Sequence, residues 1–171
     1  MLTAFRIKNF MSFRNDALFS LEPDPVIKYS SYDICECASV LKVAAVFGAN
    51  ASGKTTLLRA LRALQRIVCI DYESTRIQDV IVPFAFKEDQ TPTEFEILFS
   101  RGEKEYHYEI SFSKGAVVEE SLAIDGAQFF NRNYQRIDIS PELDIFKVIA
   151  QPLLSCFLIQ YFFANIVQLH N

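Results

Sequence analysis

The stretch VFGANASGKTTLL, residues 46–58, decides how this chain folds. It fits the pattern Gly-x-x-x-x-Gly-Lys-Ser/Thr at every fixed position, from Gly48 to Thr55. Glycine permits a tight turn that points successive backbone N–H groups at one phosphate, and a following helix presents its unpaired N–H groups to the same anion. The pattern therefore predicts a strand, a phosphate-binding loop and a helix in that order.

The loop pattern assigns a ligand role to several side chains. Lys54 is expected to reach the β- and γ-phosphates, the Thr55 hydroxyl to bind Mg²⁺, and Thr56 to serve the α-phosphate. A chance match in an ordinary turn is the alternative, and the flanking strand and helix patterns disfavour it. The predicted ligands are ATP and Mg²⁺, and the predicted binding residues are Gly48, Asn50, Ala51, Ser52, Gly53, Lys54, Thr55 and Thr56.

Apolar periodicity predicts the elements on each side of the loop. The uncharged run VAAVF (43–47) is typical of a strand buried on both faces of a parallel sheet. After the loop, leucines from Leu57 onward recur at helical spacing and predict a helix of about four turns. Two further strands are expected at residues 2–7 and around residues 17–21.

The middle of the chain has a different pattern. Residues 94–100, 105–113 and 116–124 read as strands separated by short glycine-containing loops, which predicts an antiparallel meander. Pro141, after Ser140, is expected to begin a helical C-terminal stretch.

Composition limits the class of protein. The chain has 171 residues, half of them apolar, and a net charge of −4, which argues against a strongly basic nucleic-acid-binding surface.

Met1 leads directly into a strand pattern without a signal leader, so we expect a cytoplasmic protein with reduced thiols. Cys35 and Cys37 lack the spacing of a zinc site. The uncharged segment 148–169 is interrupted by polar residues and is expected to be a helix buried in protein rather than in a membrane.

Phosphoryl transfer to water also needs an acidic residue that holds Mg²⁺, usually an Asp at the end of an apolar strand. Three segments of the sequence resemble this pattern. Asp71 ends IVCID (67–71), but this segment continues the helical periodicity. Asp125 belongs to an Asp-Gly turn, and IDI (137–139) is too short. We therefore predict a structural role for each.

The order of motifs carries a resemblance. FRIKNFMSFR at the N-terminus, GANASGKTTLL, VPFAF, TEFEILF, YHYEISF and VVEESL follow one another. Together they resemble ABC-type ATPases of the RecF/SMC/OLD group, and more narrowly the prokaryotic AAA-type ATP-binding proteins often found in phage-defence loci. The likeness runs over about residues 2–135.

The resemblance implies a two-lobed nucleotide-binding domain. Its first lobe carries the N-terminal strand, the Walker A loop and the antiparallel subdomain, and a helical insert follows. The second lobe supplies the signature motif, the Walker B Asp-Glu pair and the switch His. No Leu-Ser-Gly-Gly motif occurs in this sequence, and neither His107 nor His170 follows an acidic strand. Gln151 and Gln160 are the candidates for a Q-loop glutamine.

The resemblance also implies positions near the nucleotide. Asn9, Phe13 or Arg14 of KNFMSFR would touch the base or its phosphates, whereas the structural alternative is a turn that packs Phe10 and Phe13 into the core. Ala51 stands where many ABC loops have Gly, which is tolerable if the backbone there is not left-handed.

These patterns lead to one hypothesis and two alternatives. The fold class is α/β, a P-loop NTPase of ABC/SMC type represented by its first lobe, with an antiparallel β subdomain and a helical C-terminal segment. Residues 1–171 form one incomplete nucleotide-binding domain, in which residues 1–70 hold the N-terminal strands, loop and helix, residues 80–135 the meander and residues 141–171 the helical segment. A module that binds nucleotide without turnover is one alternative, and a small P-loop GTPase or nucleotide kinase that uses IVCID as its metal-binding strand is the other.

The partners follow from the same hypothesis. We expect a homo-oligomer, or a missing second lobe or partner chain, with nucleic acid bound only by the full-length protein and no membrane. Residues 153–167 are apolar around the whole helix circumference, so we expect the chain to self-associate through them or to need a partner.

Overall fold

The computed structural model describes residues 1–30, 33–35, 39–69, 76–86 and 91–140. Nine strands and two helices lie in this part of the chain. They are β1 (Leu2–Lys8), β2 (Ala17–Ser20), β3 (Ile34–Cys35), β4 (Val40–Leu41), α1 (Lys54–Cys69), α2 (Ile77–Val80), β5 (Thr93–Arg101), β6 (Lys104–Ser113), β7 (Ala116–Ile124), β8 (Ala127–Asn133) and β9 (Arg136–Ile139).

Seven strands form one sheet in the order β2-β1-β5-β6-β7-β8-β9, and every pairing in it is antiparallel. The predicted meander is confirmed for β5, β6 and β7, because alternating strands with short loops pair with their sequence neighbours, and β8 and β9 continue it. Asp125 has a φ of 50° and closes the turn between β7 and β8. Its backbone N–H donates to the Glu105 carbonyl and its carboxylate accepts from the Glu105 N–H, both at 2.8 Å. The predicted turn role of Asp125 is therefore confirmed.

Helix α1 confirms the helix predicted after the loop. Its apolar side chains recur at helical spacing and belong to the same core as those of the sheet, whereas Arg59, Arg62 and Arg66 face solvent. The buried residues of α1 are Leu57, Ala60, Ala63, Leu64, Ile67 and Val68.

Aromatic side chains dominate the core on the α1 side of the sheet. Phe5, Phe10 and Phe95 are almost completely buried, and the ring of Phe10 meets that of Phe95 edge-on at 5.2 Å. Phe99 stacks on Tyr106 with ring centroids 4.9 Å apart. Because β1 and the meander share these contacts, the N-terminal strand is fixed to the antiparallel subdomain.

The other face of the sheet is polar and ion-paired. Arg6 contacts Asp16 and Glu96, and Lys8 contacts Glu94. Burial raises the pKa of Glu96, but the hydrogen bonds from Arg6 and His107 outweigh it and hold that pKa below its usual value. The Glu96 carboxylate is therefore ionised near neutral pH.

The prediction of a buried parallel strand at residues 43–47 is wrong. These residues form no strand, and Val43 and Phe47 are 82% and 89% exposed. An apolar run becomes a strand only where a neighbour completes its backbone hydrogen bonds. Within the described ranges, no strand lies beside this run and no two strands pair in parallel.

Several predictions lie outside the described residues. These are the helical segment 141–171 with its proposed self-association at 153–167, together with Cys37, Asp71, Gln151, Gln160 and His170. Among the helices described, none has the length and apolar character needed to cross a membrane.

Candidate phosphate-binding site

The loop of residues 48–53 turns sharply into α1. Ala51 and Gly53 have left-handed backbone, with φ of 63° and 97°. At Gly48 a Cβ would lie 2.7 Å from the Ser52 hydroxyl, so a side chain there would require that hydroxyl to move. The fixed glycines of the motif therefore meet two different requirements, close approach at Gly48 and a left-handed turn at Gly53.

Lys54 points back across the loop from the first turn of α1. Its Nζ donates hydrogen bonds to the Gly48 carbonyl at 2.8 Å and the Ala49 carbonyl at 2.6 Å. Two carbonyl acceptors fix the ammonium beside the loop backbone, where a point charge suits a phosphate. The lysine of the motif therefore lies against the loop that the motif predicts to bind phosphate.

The start of α1 is open to an anion. The first hydrogen bond of the helix runs from the Leu57 N–H to the Gly53 carbonyl at 3.0 Å. The backbone N–H groups of Lys54, Thr55 and Thr56 therefore have no acceptor within the helix. The first turn contains no acidic side chain to occupy these donors or the positive end of the helix dipole. The arrangement has the chemistry of an anion site.

A tight turn near the N-terminus, residues 10–13, packs against the loop. Phe10 and Phe13 exchange backbone hydrogen bonds of 2.9 and 2.8 Å, and the Met11 N–H donates to the Val82 carbonyl. The Ser12 hydroxyl donates to the Thr56 hydroxyl at 2.9 Å. The ring of Phe13 would lie 3.1 Å from a Cβ at Gly53. This turn therefore supports both the loop and the first turn of α1.

Sequence reasoning missed Ser12. The only signal for it was the resemblance of KNFMSFR, which placed the segment near the nucleotide without singling out its hydroxyl. The packing interpretation is confirmed for Phe10, which is buried in the core, and the half-buried Phe13 lies against the loop.

Asn9 does not face the loop. It is 2% exposed, its amide donates to the Thr91 carbonyl at 2.7 Å, and its Oδ1 accepts from the Phe84 N–H at 3.3 Å. Both ends of the side chain are thus used to hold backbone segments together, and the suggested contact with base or phosphates is wrong for Asn9. Arg14 is exposed.

Comparison with known families identifies the domain. Residues 43–147 match the family described as "AAA domain, putative AbiEii toxin, Type IV TA system". The chain belongs to this AAA-domain family. The match begins in the exposed apolar run, includes the loop and α1, and continues through the meander. No curated protein gives a significant match to the sequence.

Membership of the AAA-domain family implies a P-loop nucleotide-binding domain with ATPase chemistry and the usual use of Mg²⁺. The loop fits an anionic phosphate group, because it combines a fixed ammonium with the open N-terminus of α1. The side chain of Thr55 is exposed, and no hydrogen bond between described residues uses its hydroxyl. A Mg²⁺ ligand is therefore available at the expected position.

Two further expectations are corrected at this site. Alanine is expected to be tolerable at position 51 only if the backbone there is not left-handed. The backbone of Ala51 is left-handed, so alanine is unfavourable at this position. The alternative of a metal-binding strand at 67–71 is contradicted over Ile67, Val68 and Cys69, where α1 continues as the helical periodicity predicted. An apolar run that extends a helical face is absorbed into that helix.

Between described residues, no hydrogen bond or ion pair joins a carboxylate to residues 48–56. Asp125 is engaged in its turn, and Asp138 is exposed on β9 where it pairs with Arg136 at 3.1 Å. The described residues therefore place groups suited to phosphate and Mg²⁺ at the loop, without a hydrogen-bonded acidic group of the kind that hydrolysis needs.

Proposed function

We propose that this AAA domain binds Mg-ATP through residues 48–56, as the first lobe of an ABC-type ATPase of the RecF/SMC/OLD group. The observation that carries the proposal is the Lys54 ammonium fixed on the loop carbonyls beside the open start of α1. Lys54 binds the β- and γ-phosphates, Thr55 holds Mg²⁺, and the backbone N–H groups of the loop and helix surround the phosphate oxygens. Ser12 orients Thr56 so that its hydroxyl proton remains available to the α-phosphate.

Hydrolysis needs groups beyond those of the loop. A carboxylate must complete the Mg²⁺ site and another group must orient the attacking water. The sequence contains no signature motif, and we propose that a second lobe or a partner chain supplies these parts. The exposure of the apolar run 43–47 supports this proposal, because such side chains gain free energy when another surface covers them.

The proposal predicts that Mg-ATP binds and that Lys54→Ala weakens binding about 10- to 100-fold, since a charge-assisted contact is lost. Isothermal titration of both proteins with ATP, ADP and GTP in the presence of Mg²⁺ tests it. Lys104→Ala, in the hairpin between β5 and β6, is the matched control and should bind as the wild type does. Equal affinity of the wild type and Lys54→Ala would reject the loop as the site.

Turnover separates the proposal from its alternative. We expect no ATP hydrolysis above background by the chain alone, and turnover after addition of the component that carries the catalytic acid. A module that binds nucleotide without hydrolysis would stay inactive with every partner. Turnover by the chain alone that disappears in Lys54→Ala would show that the catalytic group lies within it.

The biological setting is also a proposal. The family description refers to a toxin and to a type IV TA system, and the motif order resembles ATP-binding proteins of phage-defence loci. We propose a cytoplasmic, oligomeric protein that serves such a locus. Nucleotide-dependent assembly, measured by light scattering with and without Mg-ATP, is the corresponding test.

A further inference from the structure

A second cluster of metal-ligand side chains lies on the polar face of the sheet, across from the core side. His107 and Glu109 are two residues apart on β6 and therefore point to the same face. Glu96 on β5 is the direct cross-strand neighbour of Glu109. Three side chains that coordinate metals are thus brought together by strand register alone.

The distances within this cluster suit a shared ion. His107 Nε2 lies 2.7 Å from a Glu96 oxygen and 3.4 Å from a Glu109 oxygen, and all three ligand atoms lie within 4.8 Å of one another. An ion that binds imidazole nitrogen and carboxylate oxygen at about 2.1 Å separates adjacent ligand atoms by about 3.0–3.4 Å. Small side-chain adjustments therefore convert the cluster into a coordination site.

The charges of the face also favour a cation. Like charges placed directly opposite each other on neighbouring strands are destabilising, and Glu96 faces Glu109 in this way. Arg6 donates to one oxygen of Glu96, and the other oxygen lies against His107 Nε2. Among the described residues, Glu109 forms no ion pair with a lysine or arginine; its carboxylate lies near His107 Nε2 and accepts a hydrogen bond from the Ser121 hydroxyl.

We propose that Glu96, His107 and Glu109 bind a divalent first-row transition-metal ion. The mixed nitrogen and oxygen ligands suit such ions, and the exposed side of the cluster leaves the remaining coordination positions to water. The ion joins β5 to β6 across the sheet and offsets the repulsion between the two carboxylates. The site is independent of the nucleotide loop, which adjoins the opposite face.

The test uses Co²⁺ as the probe, because thiolate ligands give cobalt an intense charge-transfer absorption that nitrogen and oxygen ligands lack. This distinction matters because the chain has four cysteines. The chain is freed of metal with a chelator, dialysed and titrated with Co²⁺ without nucleotide. We expect one equivalent to bind without thiolate absorption and to raise the melting temperature.

Variants decide which residues bind the ion. His107→Ala and Glu109→Gln should each lower the Co²⁺ affinity at least ten-fold, an effect typical of lost metal contacts. Glu119→Gln, an exposed acidic position on β7, should leave it unchanged. Circular dichroism melting of the metal-free proteins establishes that each variant is folded. Absence of binding by the wild type, thiolate absorption from the bound ion, unchanged affinity in both cluster variants or an equal loss in Glu119→Gln would each overturn the proposal.

Discussion

The Ser12 hydroxyl donates a hydrogen bond to the Thr56 hydroxyl at 2.9 Å, which links the N-terminal turn to the first turn of α1. The two residues are 44 positions apart in the sequence. Because Thr56 accepts this bond, its own proton remains free to be donated. The contact makes the N-terminal turn a positioning element for the candidate phosphate site.

Replacing Ser12 with alanine tests this positioning role. Loss of one neutral hydrogen bond is worth about 1 kcal/mol, so Ser12→Ala should weaken ATP binding about five-fold with little change in melting temperature. Isothermal titration measures the affinity. Ser20→Ala, on exposed β2, serves as the control and should match the wild type. An unaltered affinity for Ser12→Ala would show that Thr56 needs no support from the turn.

Ala51 is a site where glycine should be better. A left-handed conformation costs an alanine about 1–2 kcal/mol, partly offset by the lower chain entropy of alanine in the unfolded state. Ala51→Gly should therefore raise the free energy of unfolding by about 0.5–1 kcal/mol, measured by urea denaturation. Ala49→Gly is the matched control, because Ala49 has no positive φ and should lose stability instead. Destabilisation by both changes would contradict the proposed backbone strain.

Asn9 should be important for stability rather than for nucleotide binding. Asn9→Ala removes the buried amide that holds Thr91 and Phe84 and places alanine at a φ of 51°. We expect the free energy of unfolding to fall by about 2–4 kcal/mol. The exposed Asn15→Ala should have no such effect. ATP affinity, measured well below the melting temperature, should be the same in both variants, and a selective loss in Asn9→Ala would restore a ligand role.

The Tyr108 hydroxyl donates to a Glu120 oxygen at 2.9 Å inside the core, where the residues are only 1% and 4% exposed. Tyr108→Phe removes a hydrogen bond to a buried carboxylate, which should cost about 2 kcal/mol of stability. Thermal denaturation followed by circular dichroism measures the loss. The same change at Tyr134, which is 61% exposed, should have almost no effect. Equal melting temperatures for the two variants would mean that the buried bond contributes nothing.

Local sequence patterns predict the loop, α1 and the meander. Each depends on local patterns: the spacing of Gly48, Gly53 and Lys54, the helical recurrence of apolar residues, and alternating strands joined by short turns such as Asp125-Gly126. In these segments the residues that set the conformation are close in the chain. That is why the predicted elements agree with the structure over most of their length.

Which distant residues meet depends on the packing of the whole fold. The bond between Ser12 and Thr56, the buried amide of Asn9 and the cluster around His107 all depend on how β1 and β5 pair and on how the N-terminal turn packs on α1. The conformation of the run 43–47 also depends on its surroundings in the fold. Its apolar composition allows a buried strand, but burial and backbone pairing require a neighbour, and a neighbour is a property of the fold rather than of the run itself.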